Sequence, residues 1–201
     1  MVLTKYTDKE IIEGCIAGKR YFQNLLYEKY KRSLFSVCLR YAVNKQEAED
    51  ILQESFCKIF SRLGDYKAHG SFEGWLKRIV VNYTLSYLKQ NKKDPLHFNN
   101  AEVVENIADD EEENDNDLFK NISPQHCQTI LKFIQELPVG YRTVFNLYAF
   151  EGYSHQQIAQ TLQISENTSK SQLSKARRHL KNRIHKWMEK GITTNNPSSS
   201  Y

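Results

Sequence analysis

Apolar positions recur along this chain at helical spacing, and no strict apolar–polar alternation runs long enough to suggest a strand. From Phe22, the residues Leu25, Leu26, Tyr30, Leu34, Cys38 and Tyr41 form one stripe of period 3.6. Ahead of it, "TDKE" (7–10) reads as a capping box that opens a short helix, which Gly18 closes. A second capping-box-like start, "NKQE" (44–47), predicts a helix that buries Ala48, Ile51, Leu52, Ile59 and Phe60 and stops at Gly64. After the loop "DYKAHGS", Ser71 is placed to cap a helix carrying Trp75, Leu76, Ile79, Val80, Tyr83 and Tyr87. The first half is therefore expected to be an all-α bundle.

The second half is also helical by pattern. "QHCQTILKFIQEL" breaks at Leu137-Pro138 and is followed by "GYRTVFNLYAFEG". In "SHQQIAQTLQIS", Ser154 and Gln157 make a capping box, and Ile158, Ala159 and Leu162 form an inner stripe. Gln163-Ile164-Ser165 reads as a tight turn, with Ser165 capping the next helix and Glu166 at its positive end. Two short helices across such a turn predict a helix-turn-helix.

The helix after the turn is poor in bulk: in "ISENTSKSQLSKARR" (164–178), Leu173 and Ala176 are the only apolar residues after Ile164. With Ser169, Leu173, Ala176, Leu180 and Ile184 inward, Thr168, Lys170, Ser171, Ser174, Lys175 and Arg178 stand outward or on the flanks. A slim polar front with donors and acceptors for base edges, and bases alongside for phosphates, is what entry into a major groove requires.

Charge divides the chain into blocks. Residues 1–93 carry a net +7, residues 94–119 carry −10 with no Lys or Arg, and residues 120–201 carry +7. The expected organisation is two basic helical domains, 1–93 and 120–190, joined by a flexible acidic linker at 94–119 and followed by a disordered tail at 191–201. Basic modules suit nucleic acid or acidic protein surfaces. No run approaches the ~18 apolar residues of a membrane span, and the start lacks an apolar signal core, so a cytoplasmic protein is expected. Cys15, Cys38, Cys57 and Cys127 are scattered without a C-x-x-C, which predicts buried reduced thiols and neither a disulfide frame nor a zinc site. His179 and His185 are expected on the surface.

Two polar sets stand out in the first half. Asp50, Gln53 and Glu54 form an acidic patch on one side of a helix, readable as a solvated face or as a contact surface. Asn82 and Ser86, at i and i+4, are interleaved with Trp75, Tyr83 and Tyr87 and with Lys77, Arg78, Lys89, Lys92 and Lys93. Rings that stack on bases, cations for phosphates and an amide for a base edge suit a single strand; Trp75 and Tyr83 could equally be core.

Three stretches in order, "AEDILQESFCKIF" (48–60), "SFEGWLKRIVVN" (71–82) and "ELPVGYRTVFNLYAFEGYSHQQIAQTLQISENTSKSQLSKAR" (136–177), resemble bacterial RNA polymerase sigma factors of the sigma-70 family, extracytoplasmic-function subfamily. The likeness runs from Tyr21 to Ile184, the linker composition excepted. It implies two helical domains, the first binding the core enzyme and the non-template strand of the downstream "-10" element, the second reading the upstream "-35" element as duplex. By the resemblance, Asp50, Gln53 and Glu54 contact core polymerase, Asn82 binds the strand, and the loop from Tyr66 to Ser71 pockets a flipped base. Lys67, His69, Gly70, Ser71, Lys77, Arg78 and Ser86 complete that downstream set. Thr168, Lys170, Ser171, Ser174, Lys175 and Arg178 are the upstream set. An anti-sigma factor, membrane-bound in some cases, is implied as a further partner, and no cofactor, metal or catalytic residue. The chain departs from the family pattern at Ser86 (often Asp or Asn), Gln163 (usually Gly), Ser169 (usually Val) and Gln172 (commonly Arg).

Two other readings compete. A stand-alone helix-turn-helix regulator would bind duplex DNA tightly without polymerase. A DNA-processing enzyme would need a positioned nucleophile or a rigid carboxylate cluster, and the dense carboxylates here lie in the linker.

Overall fold

The computed structural model describes residues 6–91 and 126–193, which fall into two units, 1–93 and 94–201. The segment read as a linker lies outside the described residues. Among the described residues there are eight α-helices, one 3₁₀ turn and no strand.

The first unit holds α1 (Asp8–Ile16), α2 (Arg20–Tyr41), α3 (Lys45–Arg62), a 3₁₀ turn (Leu63–Asp65) and α4 (Phe72–Asn91). Thr7 and Glu10 form the full capping box of α1, and Gly18, at φ 71°, reverses the chain into α2. At α3 the expected box is displaced by one residue. Asn44 accepts from the Glu47 N–H at 2.8 Å, but the Glu47 carboxylate accepts from the Val43 N–H at 2.6 Å. The helix also does not stop at Gly64; it tightens into the 3₁₀ turn and buries Leu63.

The apolar stripes meet as their spacing requires. Leu26, Leu34, Val37, Cys38 and Tyr41 of α2, Ile51 and Ile59 of α3, and Leu76, Val80 and Leu88 of α4 are all buried, and Ile11 of α1 closes one end. Each leucine, isoleucine or valine among them contributes about 1.5–3 kcal/mol on burial.

The second unit holds α5 (Cys127–Gln135), α6 (Val139–Ala149), α7 (His155–Leu162) and α8 (Glu166–Thr193). Pro138 sits at the N-cap of α6, where its missing N–H costs nothing. Arg142, 1% exposed, donates to the Gln135 carbonyl at the end of α5 and so satisfies an orphan acceptor there. Ser154 and Gln157 form the predicted capping box of α7. Helix α8 continues to Thr193, so residues 191–193 of the segment read as a tail are helical; 194–201 lie outside the described residues.

Two of the four thiols depart from expectation. Cys15 and Cys38 are buried, and desolvation pushes them up to about 11 and about 12, which keeps them protonated. Cys57 and Cys127 are exposed. Cys57 follows Asp50 by seven residues and Glu54 by three, which puts it on the outward stripe of α3, and Cys127 is the first residue of α5.

Candidate polymerase and nucleic-acid interfaces

On α3, Asp50, Gln53, Glu54 and Cys57 occupy positions i, i+3, i+4 and i+7, and all four are exposed. The opposite side of the helix carries the buried residues Ala48, Ile51, Leu52, Ser55, Phe56 and Ile59. Neither Asp50 nor Glu54 is in an ion pair among the described residues. This leaves two free negative charges on a rigid helix.

On α4 the exposed stripe is Arg78, Asn82, Ser86 and Lys89, with the half-exposed Trp75 at its start. The Ser86 hydroxyl donates to the main-chain carbonyl of Asn82 at 3.0 Å, and both residues are exposed. Lys77 does not join this stripe. It lies on another side of α4, paired with Glu73 at 2.9 Å, and Glu73 in turn accepts from the Ser33 hydroxyl of α2. The Ser33 hydrogen bond, followed by Lys77, holds the Glu73 carboxyl below its ordinary value.

The two aromatic questions resolve separately. Trp75 is half-buried, stacked on Phe72 at 5.9 Å and tilted against Tyr66 at 5.4 Å, so it is both support and surface. Tyr83 and Tyr87, with ring centroids 6.5 Å apart, lie off the Asn82 stripe. Burial raises the Tyr83 phenol, and the charge of Glu54 raises it further, which places Tyr83 beside α3.

The loop before α4 leaves Lys67, His69, Gly70 and Ser71 exposed. Gly70 has φ 87°, and Ala68, which is not a glycine, has φ 57°. Ser71 caps α4 by accepting from the Gly74 N–H at 3.1 Å.

The turn of the helix-turn-helix is built at Gln163, with φ 59° and ψ 45° in the left-handed region, its N–H bonded to the Ala159 carbonyl. Ser165 then caps α8, accepting from the Thr168 N–H at 2.9 Å, and its hydroxyl also pairs with that of Thr168 at 2.8 Å. The inward residues are those expected, Ser169, Leu173, Ala176, Leu180 and Ile184, with Gln172 buried beside them. Lys170 and Arg178 are exposed, while Thr168, Ser171, Ser174 and Lys175 are half-exposed. Asn167, exposed and four residues before Ser171, shares this outer face. Its i, i+4, i+7 relation to Ser171 and Ser174 was the signal by which the sequence could have shown it.

Behind that face lies a polar contact. Ser169, fully buried, meets His155 Nδ1 at 2.9 Å across the turn, and the imidazole stacks on Tyr148 at 4.9 Å. Desolvation lowers the His155 pKa, and the nearby charges of Lys170 and Arg177 lower it further against a smaller opposing effect of Glu166.

Comparison with known proteins decides the family. Residues 26–94 match the model for sigma-70 region 2, and residues 127–180 match that for sigma-70 region 4. The chain is 30% identical over 185 residues to the RNA polymerase sigma-H factor of Pseudomonas aeruginosa, covering 88% of this chain and 93% of that protein. It belongs to the sigma-70 family of RNA polymerase sigma factors. A second relative, the ECF RNA polymerase sigma-E factor of Haemophilus influenzae, is 29% identical over 181 residues, with 89% of this chain and 95% of that protein covered. A solved structure of the sigma factor RpoE with the anti-sigma factor NepR from Bartonella quintana aligns with a TM-score of 0.49 at 19% identity, over 83% of this chain and 98% of that one.

The chain is thus an extracytoplasmic-function sigma factor, acting with RNA polymerase in promoter-specific initiation. The α3 stripe, the 66–71 loop and the α4 stripe of this sigma factor all lie inside its region 2 match, and the α8 face lies inside its region 4 match. Helix α1 precedes both. Among the described residues no helix is long and apolar enough to cross a membrane.

Proposed function

We propose a division of labour among three faces of this sigma factor. Asp50, Gln53 and Glu54 on α3 dock on core polymerase. The 66–71 loop together with Arg78, Asn82 and Ser86 on α4 captures the unpaired non-template strand of the "-10" element. Asn167, Thr168, Lys170, Ser171, Ser174, Lys175 and Arg178 on α8 read the "-35" element as duplex. Lys77, engaged by Glu73, contributes charge near the strand without reading it. The observation that carries this reading is that the three sets lie on outward stripes of three different helices, α3, α4 and α8, whose other sides are buried, with the 66–71 loop leading into α4.

Such a protein works in the cytoplasm by binding alone, and an anti-sigma factor is its natural regulator. The 26 residues from 94 to 119 could extend to at most ~90 Å. At one base pair per ~3.4 Å this exceeds two turns of DNA, enough for both units to engage one promoter. The ten acids of that segment also suit the basic nucleic-acid channel of the polymerase.

The test is transcription in vitro with core enzyme on a library of promoter fragments, comparing wild type with Asp50→Arg and Glu54→Arg. Transcripts from a defined set of promoters with wild type, and loss of both transcripts and core binding with the two variants, are expected. Tight duplex binding without polymerase, with normal core binding by both variants, would instead favour a stand-alone regulator.

A further inference from the structure

We propose that Tyr66 is a positioning residue that holds the 66–71 loop in the shape that receives an unpaired base. This rests on the strand-capturing role of the loop given above, and concerns what fixes the loop before the strand arrives.

The loop is conformationally costly. Gly70 adopts φ 87°, and a Cβ there would meet nothing within 4 Å, so glycine serves the backbone and not a close approach. Ala68 adopts φ 57° with a side chain, a state that L-residues disfavour. Two left-handed residues with one residue between them persist only where the surroundings over-determine them.

The surroundings here converge on one side chain. The Tyr66 hydroxyl donates to the Gly70 carbonyl at 3.0 Å, closing the loop across both left-handed residues. Its ring tilts against Phe72 at 5.0 Å and Trp75 at 5.4 Å, the first residues of α4 that the loop leads into. Phe72 is buried and meets Tyr30 of α2 edge to face at 5.6 Å. Tyr30 is fixed in its turn, because its hydroxyl donates to Asp8 of α1 at 2.6 Å, where Lys29 also donates at 2.7 Å.

A continuous line of packed groups therefore runs from α1 through α2 to the loop, and Tyr66 is its last member. Meanwhile Lys67, Ala68, His69 and Gly70 stay exposed, so the closed loop is open on its outer side. A loop set in advance need not be ordered at the moment of binding, and the saved entropy appears as affinity for the base it receives.

The experiment uses holoenzyme assembled from the full chain and core enzyme. It selects short random-sequence single strands with wild type, Tyr66→Phe, Tyr66→Ala and Asn82→Ala, and sequences the enriched pools. Tyr66→Phe keeps the ring and removes only the hydrogen bond. It is expected to weaken base preference at one position by about two- to tenfold, leaving the other positions and core affinity unchanged. Tyr66→Ala is expected to lose the same position more completely. A Tyr66→Phe pool identical to that of wild type, or one weakened evenly at every position, overturns the proposal. The underlying reading fails separately: wild-type holoenzyme would enrich no sequence, or Asn82→Ala would select as wild type does.

Discussion

The exposed faces of α4 and α8 look alike from outside, each a row of small polar residues and bases, but they are held from behind by different chemistry. The α4 face rests on Leu76, Val80, Val81, Leu85 and Leu88, all buried, with an aromatic cluster at its start. The α8 face has polar groups on its inner side: Ser169 and Gln172 are buried, and Ser169 meets His155 Nδ1 of α7 at 2.9 Å, while Arg142, Thr143 and Asn146 of α6 are buried polar residues of the same unit. Apolar packing fixes a helix by volume and tolerates modest repacking, whereas a buried polar contact fixes it by direction and is costly if left unmet. The strand-binding helix is therefore expected to fail through cavities, and the duplex-reading helix through lost hydrogen bonds and changed protonation.

The largest effect is expected from a cavity behind α4. Leu76 is fully buried, and Leu76→Ala should destabilise the first unit by about 2–5 kcal/mol. Thermal unfolding should show the transition of the first unit lowered and that of the second unchanged. An unshifted first transition would mean that the α4 face does not depend on its apolar backing.

Next come the bases of α8. Lys170→Ala should cost ~1–3 kcal/mol at one promoter position if the exposed ammonium meets a guanine edge. Lys175→Ala should instead weaken all sequences alike and reduce the salt slope by about 1, as a phosphate contact does. Competition binding by holoenzyme on single-base promoter variants separates the two. Even losses at every position for Lys170→Ala would make both residues phosphate contacts.

How much of this contrast the sequence carried follows from what is local. The caps at Thr7, Ser154 and Ser165, the turn at Gln163 and the stripe of α2 depend on neighbours within a few residues, so pattern alone located them. The inward set of α8 was legible for the same reason. Features that need a second element were not. Lys77 pairs with Glu73 four residues before it on the same helix, a contact the spacing could have shown, but the Ser33 hydroxyl that holds Glu73 in place reaches it only when α2 packs on α4. The His155–Ser169 contact joins residues 14 apart across a turn, and Ser169 read simply as a departure from the usual apolar residue. The Tyr66 tie to Gly70 depends on two left-handed residues, Gly70 itself and Ala68 before it, the latter an alanine that no propensity would place there.

The polar backing of α8 should also make the second unit sensitive to pH. The folded chain holds the His155 pKa below its ordinary 6.5, so the unfolded chain binds that proton more readily. The resulting contribution to stability is fully present above pH 6.5 and is lost as the pH falls from there through the folded value. Unfolding of the second unit followed from pH 7.5 down to pH 5 should therefore show a fall in midpoint that His155→Asn reduces. Ser169→Val, which replaces the hydroxyl by apolar volume, should leave the acid sensitivity in place, because burial is the leading cause of the shift. An equal fall in wild type and His155→Asn would remove His155 from the account.

The smallest effects come from the two left-handed residues with side chains among the described residues, Ala68 at φ 57° beside α4 and Gln163 at φ 59° before α8. Glycine relieves the strain at either position, by about 1 kcal/mol at most once the greater freedom of the unfolded chain is counted. Their settings differ, however. Gln163 is a helix cap whose N–H is already bonded to Ala159, so helix geometry dictates its conformation whatever its side chain. Gln163→Gly should thus raise the unfolding midpoint of the second unit slightly and leave upstream binding unchanged. Ala68 lies in a loop whose closure depends on the Tyr66 hydroxyl, and glycine there widens the states the loop can visit as it removes strain. Ala68→Gly should leave the midpoint of the first unit nearly unchanged but reduce base preference at the position the loop reads, a loss that Gln163→Gly does not share. Parallel selection with the two variants measures the difference directly. If Ala68→Gly keeps full preference, the loop is shaped by the incoming strand and not before it.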